Sequence, residues 1–264
     1  MDNIVIIRIL LSFLIGGFAI GIQSILAERY SKYGGLIISI PSTLPLSLFF
    51  ISNVNGEEAA HISNFVVPFS LIVLVIFSYI LKLLISRTKL LIADVISVII
   101  WALLVSIIWH FNLSSFWIGI LLFFIVLTII LVFRKGITYN QIKKNEFSKK
   151  KFILRYIIGG TVISLSVVLS RQIDPLLGGY IAAFPVSYLI NINLIYASSG
   201  KKVLDNVFYT VPQGAFLLIL FSITFNFLIV MFNIYVTMGI CYLINVVFLY
   251  FIFRFLQKYS KESF

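Results

Sequence analysis

A single cysteine, six prolines and nine acidic residues in 264 positions leave little of what many soluble sites are built from. One thiol, Cys241, cannot form a disulfide framework or a thiolate metal site within one chain. It lies inside the last apolar run, where it reads as packing filler. Charged residues make up only 11%, too few to cover a soluble globule of this size with polar surface. The two histidines, His61 and His110, stand far apart. There is no HExxH, no paired-Asp motif and no Gly-x-Ser-x-Gly turn around which catalysis is commonly built. A GxxxxGK phosphate loop is missing too, which argues against nucleotide-driven pumping by this chain alone. No catalytic residue, metal site or cofactor is expected, and the chain is not read as an enzyme.

What is abundant is apolar: 61% of residues are hydrophobic and the mean hydropathy is +1.12. Lipid is then the main solvent. Apolar runs at about 4 to 27, 34 to 52, 65 to 86, 90 to 110, 115 to 133, 152 to 170, 178 to 197, 207 to 229 and 232 to 253 reach the roughly 20 residues that cross a hydrocarbon core of about 30 Å. The expected fold class is all-α, a polytopic membrane protein of about nine transmembrane helices. The first run is too long for a signal peptide and has neither a basic segment ahead of it nor a small-residue cleavage site. It is counted as a span.

A formal charge of +11 would suggest nucleic acid for a soluble protein, but in a membrane protein it encodes topology, because Lys and Arg stay on the cytoplasmic side. The connection from Arg134 to Arg155 carries Arg134, Lys135, Lys143, Lys144, Lys149, Lys150, Lys151 and Arg155 against Glu146 alone. It is assigned to the cytoplasm. Alternation then puts Arg29, Lys32, Lys82, Arg87, Lys89, Lys201, Lys202, Arg254, Lys258 and Lys261 inside, with Arg8 and Arg171 on the outer half. Glu57, Glu58 and His61 fall in an outer loop. The N-terminus is expected outside and the C-terminus in the cytoplasm, in a multi-pass protein of the cell (inner) membrane. The bilayer is the expected partner, nucleic acid is not, and a homo-oligomer is compatible. The basic loop also suits anionic lipid head groups, its simpler role being to set topology.

An internal repeat is visible. Gly34, Gly35, Ile37 and Pro41 recur as Gly178, Gly179, Ile181 and Pro185, and at the same offset of 144 Gly56 and Pro68 recur as Gly200 and Pro212. Phe77, Ser78, Leu84 and Ile85 match Phe221, Ser222, Leu228 and Ile229, while Gly16 and Gly17 match Gly159 and Gly160 after a one-residue gap. Shared glycines and prolines point to duplication, where shared Leu and Ile would not. The expected units are a first four-helix repeat at 1–112, a connector helix with the basic loop at 113–150, and a second repeat at 151–264. An offset of five helices inverts the second copy, and the charge pattern requires the same inversion.

The second helix of each copy carries the most information: GGLIISIPSTLPLSLFF and GGYIAAFPVSYLININL. A proline in a helix interior removes a donor and clashes with the carbonyl four residues back, at about 3 kcal/mol. Pro41 would free the Ile37 carbonyl, Pro45 that of Pro41, and Pro185 that of Ile181, each break lying about 10 Å from its own surface. Such carbonyls must face protein or a watery cavity. Ser42, Thr43 and Ser47, with Ser187, Asn191 and Asn193, supply hydroxyls and amides there, so these residues with Pro41 and Pro185 form the candidate substrate path. Gly34, Gly35, Gly178 and Gly179 are candidate hinges. The plainer reading is a pair of kinks whose Gly pairs permit close helix contact. Pro68 and Pro212 are expected in the first turn of a helix and need no function.

Asp94 sits about one turn into the fourth helix, where ionisable groups are costly and often functional. It is the candidate coupling residue. The alternative is an interfacial pair with Lys82 or Lys89, and its counterpart in the second copy, Met238, breaks the symmetry. Arg171 and Asp174 read as solvated loop charges. Gln23, Asn226 and Asn245 are polar groups within spans that interhelical hydrogen bonds would explain.

The Gly-Gly-x5-Pro segment followed by an apolar helix, at Gly34 to Leu48 and again at Gly178 to Ile192, resembles that of GlpM-like small inner-membrane proteins. Those relatives tend to be half this length, so the resemblance implies a fused version of an antiparallel pair; it implies no activity. The expected function is a permease moving an unknown small solute or lipid between the two repeats. The alternative is a non-transporting scaffold or accessory subunit. A water-accessible cavity lined by the segments around Pro41 and Pro185 would favour the first, and a dry, tightly packed interface the second.

Overall fold

Long stretches of Leu, Ile, Val and Phe satisfy their backbone groups in lipid only by forming helices. In a computed structural model, which describes residues 3–29, 41–132, 148–199 and 201–261, the described residues form helices and no β-strand. In chain order these are α1 (Asn3–Arg29), α2 (Thr43–Asn55), α3 (Glu57–Phe65), α4 (Val67–Arg87), α5 (Leu90–His110) and α6 (Phe116–Val132). After the basic connection come α7 (Lys149–Gln172), α8 (Pro175–Ala182), α9 (Val186–Ser199), α10 (Lys201–Leu228) and α11 (Ile234–Lys261). Five stretches, Asn3–Leu26, Val67–Arg87, Leu90–His110, Phe152–Gln172 and Ile234–Phe251, are long and apolar enough to cross a membrane. Phe116–Val132 and Gly214–Leu228 are shorter apolar helices. The outward faces of α5 and α6 expose Leu91, Ile99, Leu103, Leu121 and Ile125, side chains that belong against lipid. The chain is a membrane-embedded helical protein.

Within the described residues the apolar runs are helical, apart from their ends and the interruption between Ala182 and Val186, but three expectations need correcting. The outer loop with Glu57, Glu58 and His61 is the helix α3: Glu57 and Glu58 stay exposed at its start, while Ala60, Ser63 and Asn64 are fully buried. Lys149 and Lys150 lie on α7 rather than in the basic loop, and Arg155, within the sixth apolar run, is buried. Pro68 does begin α4, whereas Pro212 lies inside α10, which starts eleven residues earlier at Lys201.

The most extensive helix contact is between α1 and α7. They run antiparallel, and their glycines remove the side chains that would hold the backbones apart. A Cβ on Gly16 would lie 2.5 Å from the Ile163 side chain, and one on Gly159 would lie 2.6 Å from the Ile20 side chain. A Cβ on Gly17 would strike the Tyr156 carbonyl, and one on Gly160 would lie 2.5 Å from the Phe13 carbonyl. The Phe13 and Tyr156 rings meet edge to face at 5.7 Å.

α3 is held deep in the protein by polar bonds. Asn64 Nδ2 donates to the Ser222 carbonyl at 3.0 Å, and Ser222 Oγ donates to Asn64 Oδ1 at 2.8 Å. Both residues are fully buried, so a lost partner leaves a polar atom unsatisfied at a cost of about 1–3 kcal/mol. Ser222→Ala is therefore expected to lower stability by about 1–2 kcal/mol, read as a fall in the unfolding midpoint in detergent.

Candidate functional site

The first break follows from local chemistry. Asp174 caps α8, its Oδ1 accepting from Leu176 N at 2.9 Å, and Pro175 fills the first helical position, where a missing N–H costs nothing. Pro185 then stops the helix, since it has no N–H and forces Phe184 out of the α region. The Ile181 carbonyl is not left free, as expected from the sequence; it accepts from Phe184 N at 3.0 Å in a tightened final turn. α9 begins directly after the proline. At the other proline, α2 starts at Thr43 just past Pro41, and the residues before Pro41 lie outside the described ones. Pro45 falls in the first turn of α2, a position that needs no donor. Ile37, Gly34 and Gly35 lie outside the described residues.

The two proline segments meet. Pro41, Ser42, Thr43 and Leu44 on one side and Ala182, Ala183, Phe184, Pro185 and Tyr188 on the other line one cavity of about 40 Å³. Leu71 and Leu74 of α4 with Gly214 and Leu218 of α10 complete its wall. A water needs roughly 10–15 Å³ of such space, so the cavity holds a few waters or a small polar group. Both α2 and α9 present their first turns to it, and unpaired N–H groups at such a terminus favour partial negative charge.

The cap of α2 is spent elsewhere. Ser42 makes no side-chain bond to its own helix and instead donates from Oγ to Gln23 Oε1 of α1 at 2.5 Å. Thr43 lines the cavity, and Ser47, one turn further along the same face, is fully buried with no partner for its Oγ. Ser187 and Asn191 lie on α9, but their side chains are outside the described residues. Gly178 and Gly179 lie within α8 as close-approach positions: a Cβ on Gly178 would lie 2.8 Å from the Ser166 carbonyl, and one on Gly179 would lie 2.7 Å from Val66.

Asn193 is not at the cavity. It donates from Nδ2 to Asp94 Oδ2 at 2.8 Å and to the Leu189 carbonyl at 2.9 Å, so two sequence-predicted residues 99 positions apart come together. Asp94 pairs with this amide rather than with Lys82 or Lys89. Its other oxygen, Oδ1, is buried without a partner, as are Ser97 Oγ and Trp101 Nε1. Sequence reading missed the last two, although residues 94, 97 and 101 share one helical face. Trp101 meets Phe184 of the cavity wall edge to face at 4.7 Å.

On the other flank the first half of the chain is tied to the second by α3. His61 Nε2 is 3.1 Å from Asn226 Oδ1, Ser63 Oγ donates to the Pro175 carbonyl at 2.7 Å, and Ile234 N donates to Glu57 Oε1 at 2.8 Å. Arg171 and Asp174 are engaged rather than merely solvated: Arg171 Nη1 donates to the Val54 carbonyl at 3.0 Å and Trp109 Nε1 to Asp174 Oδ2 at 3.3 Å. Gln23 and Asn226 do bridge helices, while Asn245 donates within its own helix to the Cys241 carbonyl.

No curated protein and no solved structure matches the chain. Residues 152–258, from α7 into α11, match the model of a family described as a protein of unknown function (DUF3147).

Proposed function

We propose that the chain is a permease of the secondary-transporter type, its substrate path running between two inverted four-helix repeats that meet at proline-broken helices. The observation that carries this reading is the shared cavity. Pro41 and Pro185, equivalent in the two copies, line the same space, and broken helices converging on one cavity are how many transporters build a binding site. The equivalent pairs Leu44 with Tyr188 and Leu74 with Leu218 line it as well.

The duplication is supported by the reciprocal contacts of α1 and α7, in which Gly16 faces Ile163 as Gly159 faces Ile20, and Gly17 faces Tyr156 as Gly160 faces Phe13. The family match at 152–258 falls inside the proposed second repeat, 151–264. On this reading nine spans are arranged as four, a connector and four, with the N-terminus outside and the C-terminus in the cytoplasm. The fused antiparallel pair implied by the GlpM-like segments has the same form.

One observation favours the second reading, a scaffold or accessory subunit: the cavity is only about 40 Å³. Flux into liposomes separates the two. Purified protein assayed with a panel of ions, amines, organic acids and labelled lipids is expected to give saturable uptake of at least one class. Uptake no faster than in protein-free liposomes across the whole panel points to the scaffold.

Asp94 is the proposed coupling residue. Asp94→Asn keeps a polar group of the same shape beside Asn193 but cannot take up a proton, so uptake by the variant is expected to lose its dependence on a pH gradient. Gradient-driven uptake that persists in Asp94→Asn removes Asp94 from that role.

A further inference from the structure

We propose that Asp94, Ser97 and Trp101 line a hydrated branch of the central cavity that admits small monovalent cations to the Asp94 carboxylate. Three polar atoms on one face of α5, Asp94 Oδ1, Ser97 Oγ and Trp101 Nε1, are buried without a protein partner. Ser97 is fully buried and Trp101 is 5% exposed, so neither can turn to bulk solvent. Over the seven residues from Asp94 to Trp101 the face rises about 10 Å. Lipid cannot satisfy these groups, and water is the common group small enough to do so along a line.

Both ends of the line are pinned to the same neighbouring segment. Trp101 rests on Phe184 just before α9, and Asp94 is bonded to Asn193 two turns into α9. α5 packs its backbone closely on α4, so the α9 side is spanned by these side chains. Phe184 is common to the cavity lining and to the Trp101 contact, and the proposed branch opens to the cavity beside this ring. The order of groups selects the ligand. A carboxylate closes one end, a hydroxyl that can accept lies next to it, and the indole N–H, which can only donate, sits at the cavity end. A cation thus finds oxygen ligands only at the Asp94 end, where the Asn193 amide leaves Oδ1 open.

This inference does not require that the protein transports anything, because access is read without flux. In a Cys241→Ala background, Ser97→Cys is exposed to a small cationic thiol reagent, aminoethyl methanethiosulfonate, and to its anionic sulfonatoethyl counterpart. The cationic reagent is expected to modify Ser97→Cys at least about tenfold faster than the anionic one, as a nearby uncompensated carboxylate dictates. Adding Asp94→Asn should abolish that preference. Ile99→Cys, on the exposed face of the same helix, should react slowly with both. Equal rates for both reagents at Ser97→Cys, or rates no faster than at Ile99→Cys, overturn the proposal. Should Ser97→Cys not fold, the unmodified protein decides: the Trp101 indole N–H, assigned with Trp101→Phe, is expected to exchange in deuterated water within minutes, whereas protection for hours means a dry seam.

Discussion

Replacing Pro41 or Pro185 by Ala is expected to cut flux through the reconstituted protein by about 100-fold while leaving helix content and thermal stability unchanged or raised. The magnitude follows from the break itself. A proline inside a continuous helix costs about 3 kcal/mol, which an alanine does not, so either variant favours an unbroken helix by about 3 kcal/mol over the native one. A population ratio shifts about 100-fold for that difference. In the unbroken form the first turns of α2 and α9 no longer end at the cavity, and its lining by Ser42, Thr43 and Pro185 is lost. Pro68→Ala is the matched control. Pro68 lies at the start of α4, where proline is well tolerated, so this variant should transport like the wild type.

The second large effect is on stability and tests the two-fold relation of α1 and α7. Gly17→Ala and Gly160→Ala each place a methyl group against a facing carbonyl, of Tyr156 and Phe13 respectively. Backbone cannot yield as a flexible side chain can, so each variant should lose about 1–3 kcal/mol. The two losses should be alike, because the contacts are reciprocal, and the double variant should depart from additivity, because both sites lie in one interface. Gly239→Ala provides the contrast: nothing lies within 4 Å of the added carbon, and Ala is the better helix former. Its unfolding midpoint should stay level or rise.

The helices were legible because a continuous apolar run, without the alternation of a barrel strand, satisfies its backbone in lipid within one helix, and the break at Pro185 because proline acts on its own four-residue neighbourhood. The Asp174–Pro175 start of α8 could have been read the same way, as an N-cap followed by a first-turn proline. Partnership across the fold was not legible. Ser63 and Asn64 look like surface residues until Pro175 and Ser222 are seen to satisfy them in the interior. Exposed Glu57 and half-buried His61 give no sign in the sequence of their partners Ile234 and Asn226. Pro212 was misplaced because α10 begins at Lys201, in a polar stretch that hydropathy discounts. Asp94 was singled out by its charge alone, and neither Asn193 nor the Ser97 and Trp101 face was tied to it, although helical spacing on α5 pointed to that face.

The cavity connects these observations, since Pro41 and Pro185 line one space, which the proposed permease would use as its path. The most direct measurement is uptake into liposomes by wild type, Pro41→Ala and Pro185→Ala side by side, across one panel of ions, amines, organic acids and labelled lipids. The expected result is saturable uptake of at least one class by the wild type and its loss in both folded variants. Wild-type uptake at the protein-free level, or uptake undiminished in both proline variants, would contradict a path through the paired breaks.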